Sequence, residues 1–218
     1  SKDEEISIGS QFFKANEIFP SQPVTENDYR KLFIDIDGVK NCWLKSFDKS
    51  IYADCKHSLL SYNKDSFEEV DEVLKREFKL QGLYSVLVDF DDFYFDTLSY
   101  KINRGVFEEK IIDEIRKRYH ANRNLCEDLI SVEKVGEYNI RVCASIELEM
   151  GADEEWIHAN VVSAIRNYFS PSIPVCTLQE MKSRGYTTDE IFEGPLLENG
   201  FIDNAELEVA ELRSEIRL

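Results

Sequence analysis

The sequence predicts an α+β fold: two small ferredoxin-like α/β layers, each with helices packed on one face of a sheet, followed by a C-terminal arm. Three observations carry that expectation. Residues 139–150 alternate strictly, with Ile140, Val142, Ala144, Ile146, Leu148 and Met150 set against Asn139, Arg141, Cys143, Ser145, Glu147 and Glu149. That is the period of a strand with one buried face. Stretches on either side repeat at helical spacing instead: Phe107, Ile111, Ile112, Ile115 and Tyr119 before the strand, and Ile157, Val161, Ala164, Ile165, Tyr168 and Phe169 after it. Residues 191–203 mix Gly, Pro and large apolar side chains without a period, as a segment does that packs on something else instead of folding alone. The expected division is a linker over residues 1–22, a first α/β domain over 23–100, a second over 101–171 and the arm over 172–218.

In chain order, Ile6-Ser7-Ile8 could form a short strand, and Pro20 and Pro23 punctuate a linker. Thr25 is an N-cap with Asp28 in the capping-box position. Tyr29, Leu32, Phe33 and Ile36 then share a helix face, and Gly38 closes the helix. Residues 41–44 read as a strand. Residues 46–62 suit either a hairpin or a short helix, and residues 66–79 read as a helix with Phe67, Val70, Val73, Leu74 and Phe78 in one stripe. Residues 83–90, rich in apolar and β-branched side chains, read as a central strand. Residues 91–100 read as a loop or strand end, residues 129–133 as a short strand and residues 175–181 as a short helix or strand.

Composition narrows the classes. The chain has 218 residues, 43% hydrophobic and 12% aromatic, which suits a globular protein with a substantial core. Lys and Arg number 26 against 43 Asp and Glu, a formal charge of −17. Such a surface repels phosphate backbones and anionic lipid, so neither nucleic acid nor membrane is an expected partner. No apolar run reaches the roughly 20 residues of a membrane span, and the acidic start has no signal-peptide core. The first residue is Ser1 instead of Met, which fits a processed or excised chain. Five scattered cysteines without a CxxC pair suit reduced thiols and a cytoplasmic site of synthesis.

Candidate chemistry is thin. Residues 32–39 (Leu32-Phe33-Ile34-Asp35-Ile36-Asp37-Gly38-Val39) resemble the signature of haloacid-dehalogenase-like phosphatases, in which Asp35 would be the nucleophile and Asp37 the acid/base. Asp91-Asp92 could add ligands for the Mg²⁺ such chemistry needs. The helical stripe through Tyr29, Leu32, Phe33 and Ile36 argues against the buried strand that this family requires. Asp89, Asp91, Asp92 and Asp96 lack the spacing of a calcium loop, Cys55-Lys56-His57 offers one ligand pair, and His120 and His158 have no nucleophile at a recognisable spacing. The expectation is a protein without catalytic residues, cofactor, metal or small-molecule substrate.

A broader likeness covers residues 24–207. Val24-Thr25-Glu26-Asn27-Asp28-Tyr29-Arg30-Lys31-Leu32, with Gly38-Val39 and Trp43-Leu44, resembles the Thr-x-x-Asp-Tyr…Gly-Val pattern of J-like baseplate wedge proteins of contractile phage tails and related contractile injection systems. Residues 120–128, and Ile191-Phe192-Glu193-Gly194-Pro195-Leu196 with Asn199-Gly200-Phe201-Ile202-Asp203, resemble segments of the injection-system branch. The resemblance implies a structural wedge component, present in several copies around a central spike and coupling baseplate opening to sheath contraction. It implies assembly in the cytoplasm into a particle that is then released. Members of that family are much longer than 218 residues, so the resemblance also implies a fragment of a longer chain. The expected partner-binding residues are Phe192, Gly194, Pro195, Leu196, Gly200 and Phe201 in the arm. Its apolar side chains either cover the end of the 101–171 layer or present Phe192 and Phe201 to a neighbouring baseplate subunit.

Overall fold

The computed structural model describes residues 13–97, 103–136 and 141–211. Its first helix longer than one turn is set by a cap. Thr25 accepts a hydrogen bond from Asp28 N at 3.1 Å while the Asp28 carboxylate takes Thr25 N at 2.9 Å, and helix α2 (Glu26–Ile34) starts there, after a single short turn α1 (Ala15–Ile18). Gly38 ends the α2 segment at φ +91°, a conformation that favours glycine, and a Cβ there would lie 2.9 Å from Ile111 Cδ1.

Strands β1 (Val39–Ser46), β5 (Leu83–Phe90) and β6 (Asp128–Lys134) form the first sheet in the order β1-β5-β6. β1 runs antiparallel to β5, and β6 runs parallel to it. A parallel neighbour needs a crossover, supplied by helix α4 (Arg104–Asn122), with the short α3 (Asp92–Thr97) preceding it. The sheet thus takes strands from both sides of residue 100. Tyr29, Phe33 and Ile34 of α2, Ile111, Ile115 and Tyr119 of α4, and Cys42, Val86, Val88 and Val132 of the strands form one buried cluster. The expected central strand over residues 83–90 is the middle strand of this sheet.

Between β1 and β5 the chain makes an excursion. β2 (Lys49–Asp54), β3 (Leu59–Ser61) and β4 (Lys75–Leu80) form a second sheet in the order β3-β2-β4, so α+β with two small sheets describes the molecule. Residues 46–62 resolve as the hairpin alternative. The helix expected over residues 66–79 is not formed. Two short 3₁₀ turns (Lys64–Phe67 and Glu72–Leu74) lead into β4, whose backbone pairs with β2 from Lys49↔Leu80 to Asp54↔Lys75. An available strand edge overrides a modest helical stripe, and of that stripe only Phe67 is buried. Asp91 caps a helix where a loop was expected, its Oδ1 accepting from Phe93 N at 3.0 Å.

The largest departure lies in the alternating stretch. Residues 141–149 form no strand and every side chain from Arg141 to Met150 is exposed, Ile146 by 53%; Asn139 and Ile140 fall outside the described residues. Alternation specifies a face to bury, not the neighbour that buries it, and a strand without a ladder partner is not stable in water. Among the described residues, the outer edge of β6 has no strand beside it. Helix α5 (Glu154–Phe169) follows as its stripe predicts, yet it buries no side chain completely.

Candidate interaction surfaces

The arm folds around two short capped helices and one bridge. Thr177 and Glu180 cap α6 (Leu178–Ser183) reciprocally, and Thr187 and Glu190 do the same for α7 (Thr188–Ile191). Cys176 and Phe201 exchange both backbone hydrogen bonds, at 2.7 and 2.9 Å. Gly200 sits at that crossing with φ +145°, where a Cβ would come within 2.8 Å of Cys176 O. Phe192 meets Phe201 edge-on, with centroids 5.1 Å apart and planes at 84°. Cys176, Met181 and Ile191 form a small buried cluster behind this pair. Helix α8 (Asn204–Val209) follows, capped by Asp203.

Polar anchors fix the arm to α2 and β1. Asp35, the C-cap residue of α2, is 4% exposed, and its carboxylate accepts from Glu198 N at 2.8 Å and Asn199 N at 2.9 Å. Asn199 Nδ2 returns a bond to Asp35 O at 2.8 Å, and Arg118 lies 3.5 Å from the carboxylate on the other side. Arg30 is buried on α2 and donates to Cys42 O at 2.8 Å and to Leu207 O at 3.0 Å, close to the end of α8 where carbonyls lack helical partners. Burial holds its pKa below the usual value. Trp43 Nε1 donates to Ala210 O at 2.9 Å. Ile173, Ile202, Leu207 and Ala210 thereby join the main core cluster. The arm thus rests on α2 and β1 of the N-terminal half, with Arg118 of α4 also reaching Glu198, whereas one of the two alternatives read from the sequence had it cover the end of the 101–171 layer.

Asp203 stabilises the arm from within. It accepts from Ala205 N at 2.9 Å, Tyr186 Oη at 2.8 Å and Arg184 at 3.1 Å. Burial raises its pKa, but these donors and the Arg184 charge outweigh that and hold the carboxyl below the usual carboxylate range.

The structure brings most of the expected arm residues to one spot. Phe192, Pro195, Leu196, Gly200 and Phe201 line a small pocket of about 20 Å³ together with Lys31. Gly194 stands apart: at φ +90°, a Cβ on it would lie 2.8 Å from Asp28 Oδ1, and its carbonyl accepts from Ser21 N at 2.9 Å. Leu196 is 58% exposed, while Phe192 and Phe201 are half-buried against each other. The pocket is too small for a metabolite.

The phosphatase resemblance finds no matching geometry. Asp35 ends a helix, not a strand, and both of its carboxylate oxygens are taken by arm backbone N–H groups. Asp37 is exposed, Asp92 pairs with Arg104 at 2.6 Å, and His57 Nδ1 lies 2.5 Å from Asp54 in the β2–β3 turn. His120 is half-exposed, 4.0 Å from Asp128.

A second surface comes from residues 141–169. Ala144, Ile146 and Leu148 line one side of an open groove of about 540 Å³, and Ile157, His158 and Val161 of α5 line the other. Val142, Met150 and Trp156 lie exposed around it. Hydrogen bonds fasten this layer to the first sheet at the C-terminal end of α5: Ser170 Oγ donates to Asp89 at 2.6 Å, Lys40 Nζ donates to Ser170 Oγ at 2.5 Å, and Asn41 Nδ2 donates to Pro171 O at 3.1 Å. Asp153 caps the free end through Trp156 N at 3.1 Å. No helix among the described residues is long and apolar enough to cross a membrane.

Sequence reasoning missed Arg30, Trp43 and Asp203 as anchors. The one available signal was spacing: Arg30 stands four residues before Ile34, which places a charge on the buried side of α2. Residues 137–213 match the family model of the baseplate wedge Pvc12-like domain 3. That span, about a third of the chain, holds the 141–169 layer and the arm. No curated protein matches the chain.

Proposed function

We propose that this chain is a structural wedge component of the baseplate of a contractile tail or injection particle. The match of residues 137–213 to a baseplate wedge domain carries this reading, and the uncovered apolar surface within the same residues supports it. In a scaffold, such surface is covered by neighbouring subunits. The finer reading follows the J-like resemblance of the N-terminal half: several copies around the central spike, assembled in the cytoplasm, transmitting baseplate opening to the sheath. The arm is the proposed contact to one neighbour, through Phe192, Gly194, Pro195, Leu196, Gly200 and Phe201, with Leu196 the most outward of them.

The test is to express the tagged chain in the producing cell and purify sheath-containing particles by sedimentation. The chain should co-sediment with sheath, tube and spike proteins in a fixed ratio; recovery only in the unsedimented fraction would overturn the reading. Within such particles, Leu196→Glu should lower incorporation while the free chain melts within the usual surface range of about 0.5 kcal/mol. A Phe201→Ala chain that loses stability yet assembles normally would remove the arm from the interface.

A further inference from the structure

Residues 141–149 carry the side-chain pattern of a strand without its hydrogen bonds. Among the described residues, the one backbone hydrogen bond to this stretch joins Ala152 N to Glu149 O, at the turn before α5. Its apolar residues Ala144, Ile146 and Leu148 share the open groove with α5, so a helix lies along one side of the future strand while its side chains stay exposed. What is missing is an edge. A chain segment flanked by a helix on one side and with free N–H and C=O groups is a receptor for β-strand addition.

The charge around the groove selects among occupants. Glu154 and Glu155 line the groove itself, and Glu147, Glu149 and Asp153, all exposed, lie next to its lining residues in the chain. A second copy would bring the same acidic rim and another −17 charges, and residues 1–12, with Asp3, Glu4 and Glu5, are acidic as well. From this combination we infer that residues 141–149 and α5 dock a different subunit, which adds a β-strand along 141–149 and sets Lys or Arg side chains against the carboxylates of the rim. The inference rests on the proposed place in an assembly, but its geometry is independent of the arm.

Two measurements on sedimented particles test it. Amide exchange over residues 142–148 should be fast in the free chain and slow at least 100-fold on incorporation. A photo-reactive benzoylphenylalanine in place of Ile146 should cross-link to a different subunit, within a segment flanked by Lys or Arg. Trp156→Glu, at a position 67% exposed, should cut incorporation tenfold or more without changing the melting of the free chain. Cross-links only to residues 1–12 or to a second copy would overturn the inference, as would exchange over 142–148 as fast as in the free chain. Failure of the wild-type chain to enter particles at all would overturn the wedge reading with it; entry without protection would overturn this inference alone.

Discussion

The arm and the 141–169 layer invite comparison, because both follow the first sheet and both are rich in apolar side chains, yet only one is buried. The arm reaches the core because buried polar groups on α2 and β1 receive its backbone. Asp35 takes two N–H groups, and Arg30 and Trp43 take carbonyls near the end of α8. The 141–169 layer has a comparable apolar stripe, but among the described residues its hydrogen bonds to the first sheet lie near Ser170. Apolar area supplies most of the driving force and little direction, whereas a buried donor or acceptor is costly unless its own partner is in place. The difference teaches that polar anchors decide which apolar segment a domain keeps for itself.

Substitutions can break that contrast. Leu207→Ala, at a fully buried position of α8, should cost about 2–5 kcal/mol in urea unfolding through lost transfer energy and a cavity. Arg30→Met keeps the volume but leaves carbonyls of the arm without a donor, and should cost about 1–3 kcal/mol. Limited proteolysis should then cut within residues 176–203 earlier than in the wild type. A cost as large as that of Leu207→Ala with the arm still protected would show that Arg30 supports α2 and not the arm. At the small end, Ile146→Ala should change stability by no more than about 0.5 kcal/mol, because the side chain is already in water.

Acid sharpens the comparison by chemistry instead of mutation. Asp203, Glu180 and Glu190 all have carboxyls held below their usual range, Asp203 by Ala205 N, Tyr186 and Arg184 against the opposing effect of burial, the two glutamates mainly by the backbone N–H groups of Thr177 and Thr187. A depressed folded-state pKa adds stability that is present above the unfolded value, near 4, and is lost as pH falls through the folded value. The arm should therefore loosen below about pH 4. Asp203→Asn should flatten part of that loss, as read by Tyr186 and Phe201 amide exchange. A pH profile unchanged by Asp203→Asn would assign the acid sensitivity to other carboxylates.

These contrasts mark how far the sequence could be read. Capping at Thr25 and Asp28, the central strand over 83–90 and the helix through Ile111, Ile115 and Tyr119 were legible because each is specified within a few residues. The strand over 139–150 was not, since its pattern states a need that residues 141–149 do not find met in the chain. β4 was hidden for the converse reason: its identity comes from pairing with β2, some 25 residues earlier, which no local window contains. In the candidate site, the glycines and phenylalanines of the arm could be singled out, but not the edge-on pairing of Phe192 with Phe201. The anchors could not, because Arg30 and Leu207 are brought together only by the fold.

The second sheet has one more consequence. β1 ends at Ser46 and β5 begins at Leu83, and those strand ends face each other in register, joined by Phe47 N to Leu83 O at 2.7 Å. Everything from residue 48 to residue 80 therefore hangs from the mouth of a single hairpin, while Gly82 stays with the sheet through Asp128 N at 2.8 Å, and among the described residues none of the excursion enters the main buried cluster. Closing a longer or shorter loop between two fixed ends changes the entropy only logarithmically. The excursion is modular: a lineage could enlarge it, exchange it or reduce it to a tight turn, and a protein engineer could graft a foreign domain there, without the three-strand sheet registering the change.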